Sequence, residues 1–228
     1  MIHIRPHTLR DYAILPDIDS LGMGTLNEGD LACLEEIGEL LIAKGANSRF
    51  GITLLHSHFP IGDNETLVEQ ASAGERAFTV RPVADRADSS DDYVAINLQF
   101  DADRNDGILP MIGLEFIRSE ALSDIAPVSA SDASVLRDVR EVLERRNYLQ
   151  RFGVCLLHDT IDLKKSEMLL ETCDLSTRTL HCVAAGREDQ RISIGVETTW
   201  LWSTPAEAAR CLRECHKTCI SLHCKRTQ

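Results

Sequence analysis

A chain of 228 residues, 43% hydrophobic and 26% charged, is ordinary for a globular protein and long enough for one large domain or two small ones. Aromatics are only 5%, so the core must rest on Leu, Ile, Val and Ala. Lys plus Arg is 24 against 36 for Asp plus Glu, and the resulting net charge of −12 repels phosphate backbones and anionic membranes, which leaves a small molecule or a protein as the expected partner.

Residues 1–27 read as an N-terminal extension without an apolar core long enough for a signal peptide. No uncharged apolar run anywhere is long enough to span a bilayer, so the expected location is the cytoplasm. In that compartment the eight cysteines are expected to be thiols, as core residues or metal ligands.

The first predicted element is a helix over 28–45, where Leu31, Leu34, Ile37, Leu40 and Leu41 fall at helical spacing between a cap at Asn27 and a stop at Gly45. Strands follow at 50–56, 65–70, 76–81 and 93–100, with a polar turn "PIGDN" after the first. The acidic loop "ADRADSSDD" at 84–92 is expected to be mobile. A connecting segment, 101–130, carries one more strand in "ILPMIGLEFI".

The order then recurs. An offset of 102 positions lays "RFGITLLHSHFPIGDNETLVE" (49–69) over "RFGVCLLHDTIDLKKSEMLLE" (151–171), with no gap needed. The matches include Gly51 with Gly153, His56 with His158, Glu69 with Glu171 and Arg76 with Arg178. A second helix, with Val135, Leu136, Val139, Val142 and Leu143, starts near Ser131 or Asp132 and ends near Asn147. Strands at 152–158, 167–172, 178–183 and 192–202 come after it. The predicted fold is therefore α+β: a tandem duplication of a helix plus a four-strand antiparallel meander, with units at 28–100 and 131–202, packed as one pseudo-twofold domain. Residues kept in both copies are expected to be structural, the Arg and Glu in ion pairs between strands and the Gly allowing close backbone approach.

The last segment, 203–228, reads as a cysteine-rich helix. Ser203 or Thr204 caps it, Pro205 fits its first turn, and Ala208, Leu212, Cys215, Cys219 and Leu222 make an apolar stripe. On this reading the cysteines are core thiols. The alternative is that two of Cys211, Cys215, Cys219 and Cys224 join His216 and His223 around a soft ion.

Candidate chemistry rests on "HSH". Strand alternation puts Phe50, Ile52, Leu54, His56 and His58 on one face, so the two imidazoles sit at adjacent same-face positions, close enough to share one ion, and Thr160 replaces His58 in the second copy. Glu65 or Glu69, on the next strand, would supply a carboxylate ligand or general base, and the set would suit Fe(II) or Zn. The order Gly51, His56, His58, Glu65, Gly74 is similar to the first cupin motif but departs from it in both intervals, and no second motif follows. Phosphate loops and hydrolase elbows are absent. Two functions follow: a small metal-dependent enzyme, oxygenase- or hydrolase-like, or a non-catalytic pseudo-symmetric binding or adaptor module in which the His and Glu are structural.

Overall fold

The structure, a computed structural model, describes residues 1–18, 26–72, 75–84, 92–102, 107–122, 126–158, 161–187, 196–203 and 210–217, without the side chains of Glu214, His216 and Lys217. The predicted loop at 84–92 and Thr160, Cys219, His223 and Cys224 fall wholly or almost wholly outside these residues.

Two of the helices form where the sequence places them. The helix α2 (Glu28–Ala43) starts at Asn27, whose side chain accepts from the Asp30 backbone while Asp30 returns a bond to the Asn27 backbone. It ends as the chain turns left-handed at Gly45, φ 66°. The helix α3 (Ala133–Arg145) buries Val135, Leu136, Val139, Val142 and Leu143, the 3–4 spacing of a single face. The extension adds two elements that hydropathy alone does not predict, β1 (Ile2–Pro6) and the short helix α1 (Leu9–Ala13).

The sheet differs from the prediction. Its other strands are β2 (Phe50–Leu54), β3 (Thr66–Ala71), β4 (Ala77–Val83), β5 (Tyr93–Phe100) and β6 (Leu109–Arg118), then β7 (Phe152–Leu156), β8 (Glu167–Asp174), β9 (Thr179–Gly186), β10 (Val196–Leu201) and β11 (Arg210–Lys217). The order β6-β3-β4-β9-β8-β11-β10-β2-β7-β5 returns to β6, so ten strands close into a barrel, with β1 added in parallel to the first half of β6. Two packed meanders do not form. The strands of both stretches interleave around one wall: β2 pairs with β7, Ile52 opposite Val154, and β4 with β9, Thr79 opposite His181. The physical reason is the edge problem. A four-strand meander leaves two rows of unpaired backbone groups, and closure removes them.

The predicted C-terminal helix is also corrected. Where it falls on described residues, 210–217 is the strand β11, parallel to β8 and antiparallel to β10. Cys211, Arg213 and Cys215 are buried while Leu212 is half-exposed, an alternation of period two. Joining β10 to β8 closes the barrel, and that tertiary gain overrides the helical spacing.

Alternation along β2 and β7 divides the interior. Phe50, Ile52, Leu54, Phe152, Val154 and Leu156 share one core with Leu34, Ile37 and Leu41 of α2 and with Leu136 and Val139 of α3, so the helices cover this wall. Each such side chain contributes about 1.5–3 kcal/mol by leaving water. A second core, including Leu67, Phe78, Val80, Leu169, Leu180 and Cys182, lines the lumen, with Tyr12 of α1 and Leu55 also in it. Gly51 is needed because a Cβ there would stand 2.8 Å from the Trp200 carbonyl oxygen, and at Gly153 it would run into that of Leu98.

The repeated Arg residues do make ion pairs, and these cross between the two stretches. Arg49 binds Asp132 and Arg151 binds Asp30, tying each strand start to the other stretch's helix start. Arg76 binds Glu167 and Arg178 binds Glu65 in the same reciprocal way. Among the described residues no helix is long and apolar enough to cross a membrane.

Candidate metal centre

The His pair sits at one mouth of the barrel. β2 ends at Leu54, so His56 and His58 do not continue the Phe50–Leu54 face under the helices, as strand alternation would have it. The chain leaves the strand instead. The Ser57 backbone donates to Pro16, and Ser57 bridges to Asp17, which swings both imidazoles towards a cavity inside the barrel wall. The two rings lie 4.5 Å apart, edge to face at 79°.

The third soft donor is Cys215 of β11. One nitrogen or sulfur from each of His56, His58 and Cys215 lies within 4.8 Å of the others, a cluster able to coordinate a metal ion. The His58 Nδ1 to Cys215 Sγ separation is 3.7 Å. Zinc bonds of about 2.3 Å to sulfur and 2.0–2.1 Å to nitrogen at a tetrahedral angle place two such atoms about 3.6 Å apart. The pair is therefore spaced for a shared ion.

The orientation of His56 is fixed from behind. Its Nδ1 is 2.8 Å from the Leu54 carbonyl oxygen, which accepts, so Nδ1 carries the hydrogen and Nε2 carries the lone pair. That Nε2 is buried and has no hydrogen-bond partner among the described residues. Burial lowers the His56 pKa, outweighing the raising effect of Glu171, and keeps the ring neutral, the form that ligates. His58 is held by its own backbone, whose N–H donates to the Tyr12 hydroxyl at 3.3 Å and whose carbonyl accepts from Cys173. Burial pushes the Tyr12 hydroxyl well above its ordinary pKa, so it stays protonated.

Behind the three donors the lumen holds a buried charge cluster. Arg213 stands 3.2 Å from Glu171 and 3.8 Å from both Glu69 and Glu115. Glu69 and Glu115 lie on β3 and β6, which do not neighbour β11, so these contacts run across the lumen. Burial works against the Arg213 charge, but Glu171 and Glu115 outweigh it and raise its pKa. Glu115 has one oxygen 4.0 Å from His58 Nε2, and the other accepts from Asn97. Burial pushes the Glu115 carboxyl up to about 7, against the lowering effect of Arg213. Arg213, Glu115, Thr53 and Thr199 line the inner cavity together with the His pair; its volume is about 30 Å³, room for an ion with a water-sized companion. Outside, an apolar groove of about 400 Å³, lined by Leu9, Tyr12, Phe59, Ile61 and Leu175, abuts the other side of His58.

The predicted carboxylates have other partners and do not belong to the His56, His58 and Cys215 cluster. Glu65 accepts from both Arg178 nitrogens at 2.6 and 2.8 Å, and the Arg178 hydrogen bond holds its pKa below the usual carboxylate range. Glu69 is fully buried in the lumen, 3.5 Å from His158 Nε2. Sequence reasoning missed Cys215 as the third donor, and it missed Glu115, Tyr12 and Arg213. The available signals were a lone carboxylate inside "ILPMIGLEFI" and a strand-period reading of "CLREC".

No protein-family model, curated protein or solved structure matches this chain.

Proposed function

We propose that the chain is a small metal-dependent enzyme whose ion is held by His56, His58 and Cys215. The observation that carries this is the buried Nε2 of His56, without a hydrogen-bond partner among the described residues and with its tautomer set by Leu54, beside a second imidazole and a thiol at ligand spacing. A buried acceptor left unmade costs about 1–3 kcal/mol, and a metal ion relieves it. Two imidazoles and a thiolate favour Zn, with Fe(II) the second choice, over Mg or Ca.

Three protein donors among the described residues would leave a coordination position open, the pattern of catalytic rather than structural sites. A metal there would act as a Lewis acid and make bound water nucleophilic near neutral pH. The rest of the chemistry falls to the chain. Glu115, with one oxygen 4.0 Å from His58 Nε2 while Nδ1 faces Cys215, would hold the His58 ring from behind, Asn97 orients it, and Thr53 and Thr199 line the cavity. A hydrolytic reaction fits this set best. The size of the cavity favours one other reading, a purely structural ion that fastens β11 to the 55–58 segment.

Cobalt substitution separates them. With an open position, azide added to the Co(II) protein shifts its visible spectrum saturably. A closed structural site gives a cobalt–thiolate spectrum that azide leaves unchanged.

A further inference from the structure

The cavity at the His pair is about 30 Å³, and the apolar groove outside it is about 400 Å³. Among the described residues two line both spaces, Tyr12 and His58, so the two side chains form the wall between them. His58 is a donor to the ion, which leaves Tyr12 as the part of the wall that takes no part in ligation. We propose that Tyr12 sets the specificity of the metal centre: it closes the centre off from the groove and restricts the substrate to a molecule of two or three heavy atoms. The inference rests on the metal-dependent reading given above.

Tyr12 is built to stay in place. Its side chain is buried, 4% exposed. The short helix that carries it is capped at Thr8 and tied through Asp11 to Arg5. The ring packs against His7, centroids 5.5 Å apart, and the hydroxyl accepts from the His58 backbone N–H. Phe59 and Ile61 of the groove and Leu55 and Leu114 of the inner cavity belong to the same core as Tyr12. A ring packed on both sides at interior density, and bonded at its far end, keeps the two spaces apart.

The volumes then decide what reaches the ion. One water takes about 10–15 Å³ of such space, so the inner cavity offers two or three positions of that size. The ion takes one. The remainder holds a molecule of two or three heavy atoms. A benzene ring needs a cavity of about 150 Å³, which the groove supplies and the inner cavity does not. The hydrolytic reading is thereby narrowed to the addition of water to a molecule as small as carbon dioxide or cyanate.

The test uses formate and benzoate, carboxylates of one charge and unequal size, titrated into the full chain loaded with Co(II) while the visible spectrum is followed. The parent is expected to bind formate at least about tenfold more tightly than benzoate, the scale of an overpacking penalty. Tyr12→Phe keeps the ring and should keep that preference. Tyr12→Ala joins the cavity to the groove and should bind benzoate at least as tightly as formate, a gain that mere destabilisation does not produce. Tyr12→Val replaces it if the alanine variant does not fold. Benzoate binding the parent as tightly as formate overturns the proposal and leaves the metal reading standing. So does a formate preference that survives in both small-residue variants. A Co(II) spectrum that neither anion moves in any of the proteins overturns the open coordination position itself, and the proposal with it.

Discussion

His58 Nδ1 and Cys215 Sγ, 157 residues apart in the chain, stand 3.7 Å from each other at the mouth of the barrel. Nothing local brings them together. β11 reaches the His turn only because it is laid between β8 and β10 when the barrel closes. The donor set is therefore a product of the fold, and its loss should be readable separately from the loss of the fold.

The Arg213 cluster gives the first prediction. Arg213→Met leaves Glu69, Glu115 and Glu171 buried without their shared cation. Breaking a buried pair in this way costs about 3–5 kcal/mol. Urea denaturation at neutral pH should show that loss, and adding Glu171→Gln should recover part of it.

The glycines give a second. Gly153→Ala places a methyl against the backbone carbonyl of Leu98, which cannot move without disturbing β5. A destabilisation of about 1–3 kcal/mol is expected by chemical denaturation. Gly45→Ala meets nothing within 4 Å and suffers only from its φ of 66°, at about 1–2 kcal/mol. The two should also differ in effect on metal binding: Gly153→Ala disturbs the wall that carries the site, and Gly45→Ala does not.

A third concerns acid. Asp11 pairs with Arg5 and with the Thr8 backbone, and although burial acts against the carboxylate, these bonds hold its pKa at about 2, below the ordinary 3.8. Its folded pKa is lower than its unfolded one, so its contribution is present above pH 4 and is lost as pH falls through 2. Asp11→Asn should therefore be less stable than the parent at pH 7, and its stability should fall less between pH 4 and 2. Thermal unfolding across that range checks it.

Parts of this were legible in the sequence. The Leu34, Ile37 and Leu41 stripe and the Asn27 cap specify α2 locally, because a helix satisfies its own backbone and needs only one apolar face. Gly51 and Gly153 were legible as close approaches. The His pair was legible as a pair, though its orientation was not, since β2 ends at Leu54 and the chain beyond it pairs through Ser57 with Pro16 and Asp17 instead of continuing the strand alternation. Barrel closure was not legible, because strand order is decided by contacts remote in the chain. Cys211 and Cys215 are four apart, a spacing that serves a helix face and a strand face alike, so the helix reading stood until pairing with β8 decided it. For the same reason Cys215 could not be joined to His58 from sequence.

The central claim is that His56, His58 and Cys215 hold one ion, and metal analysis of the untagged protein tests it most directly. The parent, His58→Ala and Cys215→Ser should each be reconstituted with Zn(II) under reducing conditions, dialysed, and measured for bound metal and for circular dichroism. The account predicts close to one zinc per chain in the parent and at least about a hundredfold weaker binding in both variants, since even outer-shell changes cost 10–100-fold, with the barrel spectrum unchanged. No zinc in the parent, or zinc retained at full affinity in both variants, would contradict it.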